Sequence, residues 1–108
     1  MISYQTILAN GGATVGKNGE AVALRSGYQV SKQDVAVIAV RDFKQEAVEN
    51  LVGMLSKRGS YAGFWVDGGK VYCDISCRHS TKKDAIDAGK AYNQISVWGW
   101  KQQQAIYC

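Results

Sequence analysis

The stretch from Tyr61 to Ser76 constrains the fold most. "YAGFWV" and "KVYCDIS" are two strand-favouring runs joined by Asp67-Gly68-Gly69. Aromatic and β-branched residues suit a pleated, half-buried surface, and glycines supply the positive φ angles of a tight hairpin. An isolated hairpin is marginal in water and must pack against something. The flanking sequence offers partners on both sides. Before it stands "VAVIAV" (35–40), then Val48, Leu51, Val52 and Leu55 at i, i+3, i+4, i+7, the spacing of one helical face. After it come Ala85, Ala88, Gly89 and Tyr92 on a second helical face, mostly small residues that let a helix sit close to a sheet. "ISVWGW" (95–100) follows as a last strand.

The helix ends are also written locally. Asp42 with Gln45 and Thr81 with Asp84 have capping-box spacing, and Lys57-Arg58-Gly59 reads as the stop of the first of these two helices. "VAVIAV" is uninterrupted, as expected of a strand covered on both faces. Strand, helix, strand, strand, helix, strand is the split βαβ order. The expectation is therefore an α+β fold in a single domain spanning 1–108, with a ferredoxin-like βαββαβ core at about 34–100. Right-handed crossovers place both helices on one face of the sheet. Upstream, a short helix from Ser3 ends at Asn10-Gly11-Gly12. A β-hairpin then surrounds Asn18-Gly19, and "SGYQVS" (26–31) is extended.

Charge is uneven along the chain. Residues 1–50 balance five basic against five acidic side chains, so the formal net charge of +4 lies entirely beyond residue 50, with most of the aromatics. A polyanionic or protein partner is expected to meet that half; a solvated lysine excess is the simpler reading of the charge alone. The longest apolar run is far below the roughly 20 residues of a membrane span. The first dozen residues lack the pattern of a signal peptide. Three cysteines at irregular spacing suit free thiols in a reducing cytoplasm.

Two of those cysteines and the one histidine fall within "VYCDISCRH" (71–79). In a strand, Val71, Cys73, Ile75 and Cys77 share one face and Tyr72, Asp74 and Ser76 the other. Cys73, Cys77, His79 and Cys108 would supply a zinc donor set on paper. The four-residue step from Cys73 to Cys77 separates their sulfurs by roughly 13 Å in extended chain, too far for one ion. Cys77 and His79 as same-face neighbours do not aim a base at a nucleophile either. A core strand is the reading adopted, with Arg78 and His79 in the loop after it, no metal and no cofactor.

The same alternation puts Ala62, Phe64, Val66, Ile95 and Val97 inward. Trp65, Tyr72, Trp98 and Trp100 then point away from the helices, rimmed by Lys70, Arg78 and Lys101. Two readings stand. The N-terminal helix and hairpin cover this face as a second core, because monomers rarely expose large apolar patches. Alternatively it is a binding face, anchored as interfaces usually are by tryptophan, tyrosine and arginine. "STKK" adds Lys82 and Lys83 at a helix start beside Arg78 and His79, a solvated terminus or a contact for phosphate or acidic groups. "KRGSYAGFWV" faintly matches the aromatic strand of an RNA-recognition motif, but a serine interrupts it and it lies on the wrong strand. That family is rejected.

The phrases "NGGATV", "NGE" and "SGYQVS", then "GFWVDGGKVYCDIS" and "AIDAGKAYNQISVWGW", together resemble small proteins carried by bacteriophages and other mobile elements, a group overlapping the anti-CRISPR proteins. The resemblance implies a cytoplasmic, non-enzymatic, stoichiometric inhibitor of a bacterial defence effector. The expected target is an RNA-guided CRISPR nuclease or its guide RNA complex, met through Trp65, Tyr72, Arg78, Lys82, Lys83, Trp98 and Trp100. A basic chain is a poor mimic of DNA, so an acidic or apolar effector surface, or guide RNA, is the expected contact. The alternative is a nucleic-acid-binding accessory protein using the basic half. An enzyme is disfavoured by a single histidine, no phosphate-binding loop and no evident carboxylate pair.

Overall fold

Gly68 and Gly69 both adopt positive φ (57° and 77°). They turn β3 (Ser60–Asp67) back onto β4 (Lys70–His79), which pair antiparallel from Ser60↔Cys77 to Asp67↔Lys70. This hairpin lies inside one antiparallel sheet of order β1-β3-β4-β2-β5-β6. The other strands are β1 (Gly12–Val15), β2 (Tyr28–Ala39), β5 (Ser96–Gly99) and β6 (Gln104–Tyr107); the helices are α1 (Tyr4–Asn10), α2 (Gln45–Gly53) and α3 (Lys82–Ala91). The computed structural model describes residues 1–55 and 59–108. The chain is a single α+β domain, and no helix among the described residues is long and apolar enough to cross a membrane.

All three helices lie on one side of the sheet. Val48, Leu51 and Val52 of α2 and Leu55 beyond it are buried with Ala62, Phe64, Val71 and Cys73, the inward set expected of β3 and β4. Ala85 of α3 packs on Val30 and Val97. Val30 is in register with Cys77, and in an antiparallel pair opposed residues share a face, so α3 stands on the same face as α2. Gly89 lets it approach closely: an added Cβ would lie 2.6 Å from Cys108 Sγ and 3.1 Å from Val97 Cγ1. Ile7 of α1 joins the α2 cluster. The side chain of Gln45 holds α1 there, accepting from Tyr4 N (2.8 Å) and donating to Ile2 O (2.9 Å).

Thr81 caps α3 as its spacing predicts, and Ser3 caps α1; each hydroxyl accepts the backbone N–H three residues on. Several other expectations are corrected. Asp42 ends a 3-10 turn and does not cap α2, whose N-cap is Lys44; Gln45 is engaged with α1 instead. α2 ends at Gly53, and the proposed stop at Lys57-Arg58 lies outside the described residues. Arg78 and His79 belong to β4, not to a loop. The second arm of the N-terminal hairpin forms only a single bridge, Val15↔Ala21, while β1 extends the sheet beside β3.

"SGYQVS" and "VAVIAV" are one long strand, β2, with irregular register at Ser31/Gln33 and Asp34/Ala36. β5 pairs only with Tyr28 and Gln29, leaving the later part of β2 without a strand on that side. Val37, opposite Tyr72 on the face away from the helices, is 57% exposed, so this strand is covered on one face and not on both. Ile95 precedes β5 and is 80% exposed, not inward. β6, formed by "QAIY" after a turn with Gln103 at positive φ, was not expected at all.

Candidate functional site

The face away from the helices is open and concave. Trp65 on β3 and Trp98 on β5 are separated by β4 and β2, three strand spacings or roughly 14 Å in a flat sheet. Their ring centroids are 6.4 Å apart, so the sheet curls around this face. The bulges in β2 supply bend and extra twist near its middle. The result is a cavity of about 680 Å³, within the range of ligand-binding clefts. α1 packs with α2 on the opposite side, so the N-terminal segment does not bury this face under a second core.

The aromatic wall is partly the expected one. Trp65 is 55% exposed; Tyr72, its direct partner across β3 and β4, is also exposed, and Trp98 is half-buried. Trp100 departs from the expectation. It is 9% exposed, and its Nε1 donates to Gln29 Oε1 at 3.1 Å while Gln29 Nε2 donates to Ser76 Oγ at 2.8 Å. This buried chain ties the turn after β5 to β2 and β4, making Trp100 part of the cavity's frame and not a free anchor.

The basic residues of the expected site do not line the cavity, although Arg78 is on the same face of β4 as Asp74 and opposite Gln29. Arg78 Nε donates to Ser26 O (2.9 Å), another guanidinium nitrogen to Ser26 Oγ (3.1 Å), and the group lies over Gly27. Arg78 therefore clamps the entry to β2. Lys82 and Lys83 are exposed at the start of α3, on the helix side, and Lys83 Nζ is 2.9 Å from Asp87 Oδ2. Among the described residues lining the cavity there is no lysine, arginine or histidine.

Its charge is acidic, from a pair that sequence reasoning missed. Asp34 on β2 and Asp74 on β4 are in direct register, and both line the cavity. Burial, then the charge of Asp34, pushes the Asp74 carboxyl up to about 6, partly offset by a hydrogen bond from Ser31. Gly63 makes the room: a Cβ there would collide with the Asp74 carboxylate. The two aspartates are forty residues apart in sequence, and only the β2–β4 register unites them.

The three cysteines form no disulfide. Cys73 is buried, Cys77 half-buried and Cys108 exposed, all as free thiols. Burial first, then Asp74, raises the Cys73 thiol to about 11, which leaves it almost wholly un-ionised near neutrality. Among the described residues no three His, Cys, Asp or Glu side chains converge as metal ligands. No family model, curated protein or solved structure matches this chain.

Proposed function

We propose that this chain is a binding protein whose working surface is the concave aromatic face. One observation carries the reading: Trp65 and Trp98 meet across two intervening strands on a face that none of α1, α2 and α3 covers. Exposed aromatics around a cleft are expensive to leave in water and are the usual anchors of recognition. The fold reading is ferredoxin-like. The strand order β3-β4-β2-β5 with α2 and α3 on one face supports it, with β1 and β6 added at the two edges. The sequence resemblance adds the biological class: a cytoplasmic phage or mobile-element protein that blocks a bacterial defence effector, an RNA-guided nuclease complex being the target proposed. The acidic lining of the cleft argues against nucleic acid inside it, since phosphates would meet carboxylates.

A hydrolytic reading has one observation in its favour. Asp74, held up to about 6, is in register with a second carboxylate, Asp34, and carboxyl pairs in clefts serve as acid and base in hydrolases. The two carboxylates, however, stand side by side on one wall, not on opposite sides of a bond to be cleaved. That arrangement favours binding.

The test is capture of bacterial nucleoprotein effectors by the parent protein and by the double variant Trp65→Ala/Trp98→Ala, with folding of both checked by circular dichroism. Loss of capture with an intact fold is the expected result. Undiminished capture by the double variant would remove the concave face from the function. Binding of nucleic acid alone, steeply weakened by salt, would favour the accessory-protein alternative.

A further inference from the structure

The chemistry of the occupant follows from the lining, and it rests on the reading that a partner docks in the concave face. The chain carries +4 overall, yet among the described residues the charged side chains lining this cleft are Asp34 and Asp74. Like charges directly opposed on neighbouring strands repel; the Ser31 hydroxyl, 3.5 Å from Asp34 Oδ1, eases this only in part, and no cation among the described residues pairs with either carboxylate. The ion pairs among the described residues are Arg41 with Asp42 and Lys83 with Asp87. The other buried polar groups of this face, Gln29 and Ser76, satisfy each other and Trp100. The unbalanced element is therefore the carboxylate pair.

Aromatic rings line the same cleft. Tyr72 is on the same face of β4 as Asp74, Trp65 is opposite Tyr72, and Trp98 touches Trp65. Ring faces attract cations. A guanidinium is the cation that both features suit, because it stacks flat on rings and donates paired N–H groups to carboxylates. We propose that the cleft receives an arginine side chain of a partner protein, its guanidinium stacked among Trp65, Tyr72 and Trp98 and donating to Asp34 and Asp74.

The experiment titrates the full chain with two blocked pentapeptides, glycine-flanked, one centred on arginine and one on its neutral isostere citrulline. Tryptophan fluorescence and backbone amide shifts report occupancy. The arginine peptide is expected to shift the amides of Gly63, Asp74 and Trp98 in a saturable way. The citrulline peptide should bind about tenfold more weakly or worse, the weight of a charge-assisted contact. Asp74→Asn, which keeps shape and removes charge, should bring the arginine peptide down to the citrulline level. Equal binding of the two peptides, no perturbation of the cleft by either, or an Asp74→Asn variant that binds arginine undiminished would each overturn the proposal. The wider reading fails separately: it falls if Trp65→Ala/Trp98→Ala still captures the partner, and it survives if only Asp74→Asn leaves capture unchanged.

Discussion

At the scale of single residues, Asp74 shows what the cleft costs the fold. Its carboxyl titrates at about 6 in the folded chain against an ordinary 3.8. The folded state thus holds this proton more tightly than the unfolded state. The associated stability is fully present below 3.8 and is lost as pH rises through about 6. At about 1.4 kcal/mol per pKa unit, the loss reaches up to about 3 kcal/mol at neutral pH. Asp74→Asn is expected to raise the urea midpoint at neutral pH and to flatten its pH dependence across that window. An Asn variant with the parent's midpoint and pH slope would mean that the pair is not under strain. A residue that destabilises its own fold is more readily understood as part of a site than of a core. Little of this was legible in the chain. Trp65, Tyr72 and Trp98 were readable because strand alternation is a local rule. Asp34 beside Asp74, Arg78 over Gly27 and the buried Trp100–Gln29–Ser76 chain all depend on which residues the register opposes, and single-sequence patterning does not contain register.

At the scale of elements, periodicity succeeded where one face alone is buried and failed where pairing decides. The apolar face of α2 packs as its spacing requires, and Leu51 is almost fully buried on the sheet. Leu51→Ala is therefore expected to destabilise the protein by about 2 to 5 kcal/mol, as large-to-small core changes do. A loss below about 1 kcal/mol in equilibrium denaturation would make α2 peripheral. β2 is the contrasting case. Its "VAVIAV" run looks like a doubly covered strand, yet the helices pack on one face alone, and Val37, opposite Tyr72 on the other, meets solvent. A continuous apolar run states affinity for a core and says nothing about whether a second layer covers its other face. β6 was missed for a related reason. "QAIY" carries too few apolar residues to stand out, and it becomes a strand because the turn through Gln103 lays it along β5.

At the scale of the whole molecule, charge and shape are segregated, and the separation has kinetic consequences. The curl of the sheet concentrates aromatic rings and two carboxylates on one face, while Lys82 and Lys83 stand on the helical side. The sequence suggested that these lysines and the aromatics belong to a single interface; the fold divides them. Exposed charges act on encounter, and beyond a Debye length of about 8 Å at physiological salt they are largely screened. Aromatic anchors in a desolvated cleft act on residence time. Once a partner has been captured, surface plasmon resonance at low and physiological salt separates the two. Charge reversal at Lys82 and Lys83 is expected to change the association rate less than threefold at physiological salt (a rough bound for charges outside the contact) and to leave dissociation unaltered. Trp65→Ala should speed dissociation by at least about tenfold, the mark of a residue worth more than about 1.4 kcal/mol at an interface. If the lysine reversal abolished binding while Trp65→Ala dissociated like the parent, the partner would sit on α3 and the concave face would be idle.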